Sequence, residues 1–382
     1  MKIQEYLRSG KTTADLTNEL GIKVTEHPTL PIAIFNYDQL ESPKTNPIVR
    51  EARGLVLEKD TWNVVAMSFP RFFNWGEVQE EMPLFDFSDF VVQSKEDGSL
   101  VLLYYYAGQW RCNTRGSFAQ DLLQFQNFTW EEGIKKALGV NFFDAGLLPT
   151  RTYVCEFCAP WNKVVRTYTK PVLYLLTVFD NITQEEYNVK QVDAMYNATL
   201  SKQSLLLRPT VYEFHNMAEI EAFLQQQATD DATFEGVVIR DKDNRRWKIK
   251  NACYLALHKM RGEGDNLFNP KNLVPFVLAG EEDELLTYFP EVRGQFYELK
   301  SQILEWYIQL LETWAEHWQI TNQKDFALAI KDRTPFASVL FDVRKRLGHS
   351  QRPSDIRQAW RSAEPSILKR IPRLTQINTN QP

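Results

Sequence analysis

The sequence changes character once, near residue 260, and this change restricts the possible folds more than any other feature. Before it, short runs rich in β-branched and aromatic residues follow one another, separated by turn-like segments. After it, apolar residues recur at three- and four-residue spacing, as on one face of a helix. We therefore predict an α+β chain, with antiparallel sheets in residues 1–262 and an all-helical domain in residues 263–382.

Ten runs before residue 260 are predicted strands, and the pairs Lys59-Asp60 and Ala107-Gly108 are typical of the turns between them. The phosphate-binding motifs G-x-G-x-x-G and G-x-x-x-x-G-K-[ST] are both absent from the sequence. If the chain binds a nucleotide, it must therefore use a different phosphate-binding motif. The predicted strands are PIAIFNY, RGLVLEK, WNVVAMSF, DFVVQSK, LVLLYYY, WRCNTRG, RTYVCEF, PVLYLLTVF, EGVVIRD and RRWKIKN.

The helical pattern is clearest in a single apolar stripe that extends over about five turns. Thr334 and Pro335 form a helix-starting pair, which predicts a further helix running toward Arg346. The segment Arg261–Asn272, rich in Gly, Asn and Asp, is a predicted linker. The stripe consists of Phe296, Leu299, Ile303, Trp306, Leu310 and Trp314.

The formal net charge is −5, but it is unevenly distributed. Arg344–Pro382 holds nine Lys or Arg against two acidic residues, so a basic tail follows an acidic body. Such a patch commonly faces phosphate, although a solvated helical face explains it equally well. Apolar runs such as Leu100–Gly108 are shorter than the ~18 residues of a membrane span, and the N-terminus has no signal-peptide pattern. We therefore expect a cytoplasmic protein without a membrane segment.

Lys95 begins the sequence KEDGS, between two predicted strands. The glycine at position 98 permits a tight turn and the close approach of a ligand. A lysine acts as a nucleophile only after it loses its proton, which costs about 4–5 kcal/mol at neutral pH for an ordinary side chain. Nearby cations lower this cost, so a nucleophilic lysine needs positively charged neighbours.

Charged residues that suit this requirement lie on other predicted strands. Glu235 precedes a glycine inside an apolar strand, where an unpaired carboxylate is costly to bury. In WKIK, the strand period of two places Lys248 and Lys250 on one face, and two like charges side by side favour an anion between them. Either lysine could assist the nucleophile.

Two further residues extend the set. Glu156 adds a second carboxylate, and Arg53 adds a guanidinium suited to bidentate phosphate contact. Each residue alone could be an ordinary surface residue of a strand. Together they indicate nucleotidyl transfer through a lysine phosphoramidate, with a bound divalent metal offsetting the negative charge of the nucleotide phosphates.

These motifs resemble those of the RNA ligase 1 family, the tRNA-repair ligases of T-even bacteriophages, within the lysine nucleotidyltransferase superfamily. The likeness extends over nearly the whole chain, in the same order and at comparable spacing: KEDGSLV, EARGLVLE, FFNWGE, EFCAPWNKVV, FEGVV and WKIK. It implies a nucleotidyltransferase domain and a three-step ligation. The lysine attacks the α-phosphate of ATP, AMP passes to an RNA 5′-phosphate, and a 3′-hydroxyl then displaces AMP.

The resemblance also implies a role for each matching residue. Lys95 is the adenylated nucleophile, Glu156 hydrogen-bonds the ribose, and Glu235 organises a metal. Lys248 and Lys250 hold the α-phosphate. The further residues that it implies in ATP binding are Arg53, Arg71, Phe73, Glu96, Gly98, Arg115 and Gly236.

Two positions depart from the family pattern, since Arg71 and Arg115 stand where lysine is expected. Asp283 and Glu284 fall where a paired acid helps to hold a metal, although an acidic helix start explains them as well. The helical C-terminal domain fits the domain that gives this family its tRNA preference. It does not fit the small β-barrel of DNA ligases and capping enzymes.

The resemblance implies ATP as a substrate, Mg²⁺ or Mn²⁺ as the metal, and RNA as the partner, in particular tRNA with a broken anticodon loop. A separate kinase and phosphatase would prepare the RNA ends, and the chain would act as a monomer. Three alternatives stay open: a GTP-using capping enzyme, a DNA ligase, and an RNA-binding module with an inactive nucleotide site.

Overall fold

The computed structural model describes residues 1–39, 41–118, 128–162, 165–231, 233–251, 254, 270–288, 292–347, 356, 359–360 and 363–369. The chain divides into two compact units, Met1–His258 and Lys259–Pro382. The predicted boundary between residues 262 and 263 lies outside the described residues, as does most of the basic tail. Among the helices of the described ranges, none is long and apolar enough to span a membrane.

The first unit is built on three sheets. Their strands are β1 (Ile22–Glu26), β2 (Ile32–Tyr37), β3 (Arg53–Glu58), β4 (Val64–Ala66), β5 (Phe73–Asn74), β6 (Phe90–Ser94), β7 (Ser99–Tyr106), β8 (Gln109–Thr114), β9 (Arg151–Cys158), β10 (Val172–Asp180), β11 (Val211–Tyr212), β12 (Gly236–Asp241) and β13 (Arg246–Lys250). The sheet orders are β1-β2-β3-β4, β10-β9-β7-β8 and β11-β6-β12-β13-β5. Neighbouring strands are antiparallel, except that β13 pairs with β5 in parallel.

Five described helices of the first unit begin at polar residues that cap their free N–H groups. Thr12 and Thr129 each form a capping box with the acidic residue three positions later. The helices are α1 (Lys2–Arg8), α2 (Thr13–Leu20), α3 (Pro47–Glu51), α4 (Trp130–Leu138), α5 (Val189–Met195), α6 (Ser201–Gln203) and α7 (Met217–Asp230). Single turns of 3₁₀-helix occur at Met82–Leu84 and Phe142–Asp144, and a π-helical turn follows α5 at Tyr196–Leu200.

All ten predicted strand runs contain a strand. The turn pairs also adopt the left-handed backbone that tight turns require, with φ of 69° at Asp60 and 51° at Ala107. Three strands were not predicted: β1, β5 and β11. β5 and β11 have only two residues each, too few for a periodic pattern, and form because they pair with β13 and β6.

The sheet β10-β9-β7-β8, called the middle sheet below, is buried on both faces. From one face of β7, Leu100, Leu102 and Tyr104 pack into a cluster shared with β1–β4. From the other face, Val101 and Leu103 pack into a second cluster with α4 and α5. This double burial explains why LVLLYYY is a continuous apolar run instead of an alternating one.

The described helices of the second unit are joined by turns and short irregular segments, which confirms the predicted α+β class with a helical C-terminal region. The helix α10 (Arg293–His317) carries the predicted stripe, of which all but the half-buried Trp306 is buried. Thr334 accepts a hydrogen bond from the backbone N–H of Phe336, but the predicted helix begins at Ala337, two residues after Pro335, which was expected to be its first residue. The helices are α8 (Pro270–Ala279), α9 (Glu282–Tyr288), α10 (Arg293–His317), α11 (Gln323–Ile330), α12 (Ala337–Leu347) and α13 (Glu364–Leu368).

The predicted linker before the second unit is shorter than expected at its C-terminal end. The predicted linker extends to Asn272, but α8 begins at Pro270, inside it. Proline is well suited to the first turn of a helix because its missing N–H has no helical partner there. The earlier part of the predicted linker, residues 261–269, lies outside the described residues.

Candidate active site

Lys95 lies where the chain passes from one sheet to another. It directly follows β6 of the five-stranded sheet, and β7 of the middle sheet begins at Ser99. The backbone N–H of Lys95 donates to the carbonyl oxygen of Gly236, 2.9 Å away, and so continues the pairing of β6 with β12. The lysine is therefore fixed at a strand end between two sheets.

Two glycines at this junction have no room for a side chain. A Cβ on Gly98 would lie 2.3 Å from the carbonyl oxygen of Phe157. A Cβ on Gly236 would lie 2.2 Å from the carbonyl oxygen of Ile249, and the φ of Gly236 is +141°. Both glycines allow a close approach between strands that holds the lysine segment in place.

Asp97, the acid of KEDGS, anchors the same segment, a role that sequence reasoning did not identify. Its carboxylate accepts hydrogen bonds from the backbone N–H groups of Val165 and Arg166 at 2.8 and 2.7 Å. It also accepts from the hydroxyl of Tyr254 at 2.8 Å. Because Asp97 is buried, these three donors satisfy a carboxylate that would otherwise be costly to bury.

The side chain of Lys95 ends at a carboxylate. Its Nζ lies 2.6 Å from Oε1 of Glu235, and Nζ of Lys250 lies 3.3 Å from the same oxygen. Glu235 is only 5% exposed, so the two ammonium groups provide the positive charge that a buried carboxylate needs. The structure thus brings together Lys95, Glu235 and Lys250, three of the predicted catalytic residues.

The predicted alternation along β13 is present. Trp247 and Ile249 are buried, whereas Arg246, Lys248 and Lys250 are less buried and share the opposite face. The buried face packs with α7 into a separate apolar cluster. The other face carries the lysines toward the same side of the sheet as Lys95.

A second group of cations surrounds the phenol of Tyr37. The guanidinium carbons of Arg71 and Arg115 lie 4.5 and 5.3 Å from its ring centroid. Burial by itself would raise the pKa of Tyr37, but the charges of Arg53, Arg115 and Arg71, with that of Lys248, lower it. Positive charge is therefore concentrated in this region, as a site for phosphate groups requires.

The carboxyl groups beside Lys95 hold their protons more tightly than usual. Burial raises the pKa of Glu156 to about 7; the charge of Lys95 opposes this rise and that of Glu235 adds to it. Burial also raises the pKa of Glu96, although the hydroxyl of Ser94 donates a hydrogen bond to it. Both residues can therefore act as hydrogen-bonding groups in a largely dehydrated site.

These groups surround a cavity of about 560 Å³, large enough for a nucleotide. Three polar atoms of lining residues are buried without a hydrogen-bond partner among the described residues: Asn36 Oδ1, Arg53 Nε and Gln93 Nε2. Unpaired buried polar atoms of this kind fit a polar ligand such as ATP. The predicted site residues that line the cavity are Arg53, Lys95, Glu96, Gly98, Arg115 and Glu156.

The other predicted residues of the first unit do not line the cavity. Phe73 is 2% exposed and packs in the core under the five-stranded sheet, while its neighbour Phe72 and nearby Phe69 line the cavity. The sequence FFNW gives no sign of which phenylalanine faces inward. Gln93 and Arg246 also line the cavity and were not predicted, although both alternate in phase with predicted residues of their strands.

The predicted metal ligands are divided between the two units. Glu235 lies beside Lys95, whereas Asp283 is in the first turn of α9, where the helix dipole favours an acidic residue. Nothing is described for the side chain of Glu284. The described residues contain no group of three or more metal-binding His, Cys, Asp or Glu side chains.

Mg²⁺ commonly needs only one or two carboxylates plus phosphate and water, so Glu235 and Glu156 fit such a metal.

Comparison with known proteins agrees with this geometry. The family model for RNA ligase matches residues 51–255. A protein described as a bifunctional polynucleotide kinase/RNA ligase, from Autographa californica nuclear polyhedrosis virus, is 30% identical over 298 residues, which are 73% of this chain and 40% of the relative. The chain thus spans well under half of that relative's length.

Two further comparisons concern a phage and an archaeal protein. An RNA ligase from Rhodothermus phage RM378 is 25% identical over 312 residues, covering 66% of this chain and 70% of the relative. A solved archaeal ATP-dependent RNA ligase is 14% identical, covers 98% of this chain and 92% of its own, and has a TM-score of 0.51. At that identity the likeness concerns the fold alone. Since the family model spans more than half of the 382 residues, this chain belongs to the RNA ligase 1 family.

Proposed function

We propose that this chain is an ATP-dependent RNA ligase that joins 5′-phosphate and 3′-hydroxyl RNA ends through a covalent lysyl-AMP. The observation that carries the proposal is the position of Lys95, which lines a nucleotide-sized cavity and is held at a buried carboxylate, 2.6 Å away. Membership of the RNA ligase family supports the reaction class. The cations around Tyr37 support a substrate with several phosphates.

In the first step, Nζ of Lys95 forms a bond to the α-phosphorus of ATP, and the bond from that phosphorus to pyrophosphate breaks. The ammonium group must first give up a proton. Oε1 of Glu235 lies at hydrogen-bond distance and is placed to receive it. Lys250, 3.3 Å from the same oxygen, holds that carboxylate in position.

The next two steps release the lysine and then AMP. An oxygen of the RNA 5′-phosphate bonds to the phosphorus of AMP, and the bond from that phosphorus to Nζ of Lys95 breaks. The 3′-hydroxyl oxygen of the second RNA end then bonds to the phosphorus of the RNA 5′-phosphate, and AMP leaves. In each step one group bonded to phosphorus is replaced by another. Catalysis therefore depends mainly on positioning the reacting groups and stabilising their charges.

The residues proposed to bind phosphate lie in or near the cavity wall. Arg53 and Arg115 both line it, and the Nε of Arg53 has no acceptor within the described part of the chain. Lys248 lies on the same strand face as Lys250. A bound Mg²⁺ or Mn²⁺ supplies further neutralisation of the phosphate charge, and Glu235 and Glu156 are the residues that would hold it.

The direct test is incubation of the full-length protein with ATP labelled at its α-phosphate and, separately, with similarly labelled GTP. We expect a covalent adduct with ATP that survives denaturation. An adduct with GTP instead would indicate a capping-type enzyme. The absence of an adduct with either nucleotide, under conditions where the protein still binds RNA, would support the RNA-binding module.

Substrate choice needs a second experiment. Single-stranded RNA with 5′-phosphate and 3′-hydroxyl ends should be sealed, whereas nicked duplex DNA should not; the opposite preference would indicate a DNA ligase. We further propose tRNA with a broken anticodon loop as the RNA substrate. Faster sealing of such a tRNA than of linear RNA of the same length is expected, and equal rates would count against tRNA repair.

The helical domain, the preparation of the RNA ends and the oligomeric state complete the proposed function. We assign RNA or tRNA preference to the helical domain from residue 263 onward, because its basic tail suits a phosphate backbone. We also propose that a separate kinase and phosphatase prepare the RNA ends before ligation; the name of one relative, which combines a polynucleotide kinase with an RNA ligase, supports the kinase step alone. Action as a monomer and a cytoplasmic location stay predictions, which sedimentation and cell fractionation can test.

A further inference from the structure

β13 carries a third cation on the same face as its two lysines, and the mechanism above does not use it. Arg246 stands two residues before Lys248 and alternates in phase with it. It lines the cavity together with Arg53 and Phe69. The guanidinium carbons of Arg246 and Arg53 lie 4.6 and 4.7 Å from the ring centroid of Phe69. Two guanidinium groups therefore approach the same part of the cavity wall.

The guanidinium of Arg246 is held by Glu186 through a bidentate contact. Its Nη1 lies 2.9 Å from Oε2 of Glu186, and its Nη2 donates to Oε1 of the same carboxylate. Nη1 also donates to the carbonyl oxygen of Asn244 at 2.9 Å. These contacts fix the plane of the guanidinium, and the side chains of Arg246 and Glu186 are only 7% and 8% exposed.

Glu186 is in turn fixed from behind. Nη2 of Arg240 lies 3.2 Å from its Oε1, and Arg240 is 2% exposed. Nε of Arg240 donates to Oδ1 of Asn244 at 2.9 Å. Two guanidinium groups thus share one carboxylate, so the triad of Arg240, Glu186 and Arg246 retains one positive charge.

The contacts of Arg246 leave one edge of its guanidinium unused. A guanidinium has five N–H groups. The contacts with Glu186 and Asn244 engage both N–H groups of Nη1 and one of Nη2. What remains is the N–H of Nε and the second N–H of Nη2, which point in the same direction. Within the described part of the chain, Nε has no hydrogen-bond acceptor.

We propose that Arg246 binds a phosphate group with this free edge, and that Glu186 is the positioning residue that presents it. The ligand class is a phosphoryl group with at least two unshared oxygens, because two parallel N–H groups match that geometry. The inference rests on the proposed ligase function, which supplies two such groups: the triphosphate of ATP and the 5′-phosphate of RNA.

The test uses Arg246→Lys and Arg246→Ala in the full chain, with three separate measurements. These are covalent labelling by ATP, transfer of AMP to 5′-phosphate RNA, and sealing of RNA that is already adenylated. Lysine keeps the charge but loses the second hydrogen bond, so we expect KM for the bound phosphate to rise about tenfold. Alanine should raise it about a hundredfold.

Arg245→Ala is the matched control. It removes the same charge one residue away, from a side chain that is 43% exposed and paired with Asp241 and Asp243 at the β12–β13 turn. All three measurements should be unchanged in this variant. A rise in the KM for ATP in the Arg246 variants identifies the triphosphate as the ligand, and a rise in the KM for 5′-phosphate RNA identifies the RNA end.

Glu186→Gln tests the positioning role, with melting temperature measured beside KM. Glutamine retains one acceptor, so the KM effect should be smaller than that of Arg246→Lys, and the melting temperature should fall. If only the melting temperature changes, Glu186 is structural. If the wild type is labelled and Arg246→Lys shows wild-type KM values, this inference fails while the proposed function stands. If the wild type itself is not labelled by ATP, the proposed function fails first.

Discussion

The two faces of the five-stranded sheet differ sharply in composition. One face is an apolar core, and the other carries Lys95, Lys248 and Lys250 beside the cavity. Neighbouring residues of a strand point to opposite faces. Residues that stabilise the fold and residues that take part in catalysis therefore alternate along the same strands. Substitutions at adjacent positions of one strand should therefore affect either stability or activity, but not both equally. The core face consists of Phe73, Val92, Val237, Ile239, Trp247 and Ile249.

The largest expected effect is on the active-site face, from Lys95→Ala. This change removes the nucleophile but no apolar packing, since the lysine side chain is 22% exposed and ends at Glu235. Covalent labelling by ATP should be lost entirely, whereas the melting temperature should fall only modestly, because Lys250 still pairs with the buried Glu235. Covalent labelling of Lys95→Ala by ATP would contradict the assignment of the catalytic residues to this face.

The neighbouring residues Trp247 and Lys248 provide a direct comparison of the two faces. Trp247→Ala removes a buried indole and should reduce the free energy of unfolding by about 3–5 kcal/mol. Lys248→Gln should change it by less than about 1 kcal/mol, as for most substitutions outside the core, yet slow labelling about a hundredfold. Urea unfolding and single-turnover labelling give the two quantities. Similar stability losses in both variants would contradict the comparison.

The pH dependence of stability tests the electrostatics near the active-site face. The pKa of Glu156 is raised from its ordinary 4.5 to about 7, so the folded protein binds a proton that the unfolded chain releases between these values. The stabilisation is complete below pH 4.5 and is lost as the pH rises through about 7, by at most about 3 kcal/mol.

Glu156→Gln cannot titrate and supplies the control for this effect. Its unfolding free energy, measured in urea between pH 4.5 and 8, should lack the part of the pH slope that Glu156 contributes. The wild type should lose stability relative to this variant as the pH rises. Parallel curves for the two proteins would mean that the pKa of Glu156 is not raised by folding.

The smallest expected difference is between Val237 and Val238, which point to opposite faces of β12. Val237 is fully buried in the core, so Val237→Ala should lower the free energy of unfolding by about 2 kcal/mol. Val238 lines the cavity, and Val238→Ala should cost less stability but raise the KM for ATP. A larger stability loss for Val238→Ala would reverse the assignment of the two faces.

Local pattern was sufficient to predict much of this fold. The ten strand runs, the stripe of α10 and the alternation of Trp247 with Lys248 all follow from residue spacing, because the periods of strands and helices are properties of the backbone. The sequence KEDGS between two strands also indicated that Lys95 stands at a strand end. Two-residue strands such as β5 could not be predicted, since they have no period.

Other features of the site depend on contacts between distant parts of the chain. Lys95 and Glu235 are 140 positions apart, and only the pairing of β6 with β12 brings them together. Glu186 and Arg246 are separated by 60 positions, and Glu186 lies outside the named strands, in an isolated bridge with Phe179. No spacing rule links such residues, because their distance depends on how distant segments of the chain pack after folding.

The sequence by itself determined which residues alternate, which segments become strands or helices, and which motifs carry charge. Tertiary structure decided that Phe72 and not Phe73 lines the cavity, that Asp97 anchors the lysine segment, and that Arg246 is oriented by a carboxylate. The physical reason is that local propensity acts over a few bonds, whereas burial, ion pairing and cavity shape depend on which strands become neighbours after folding.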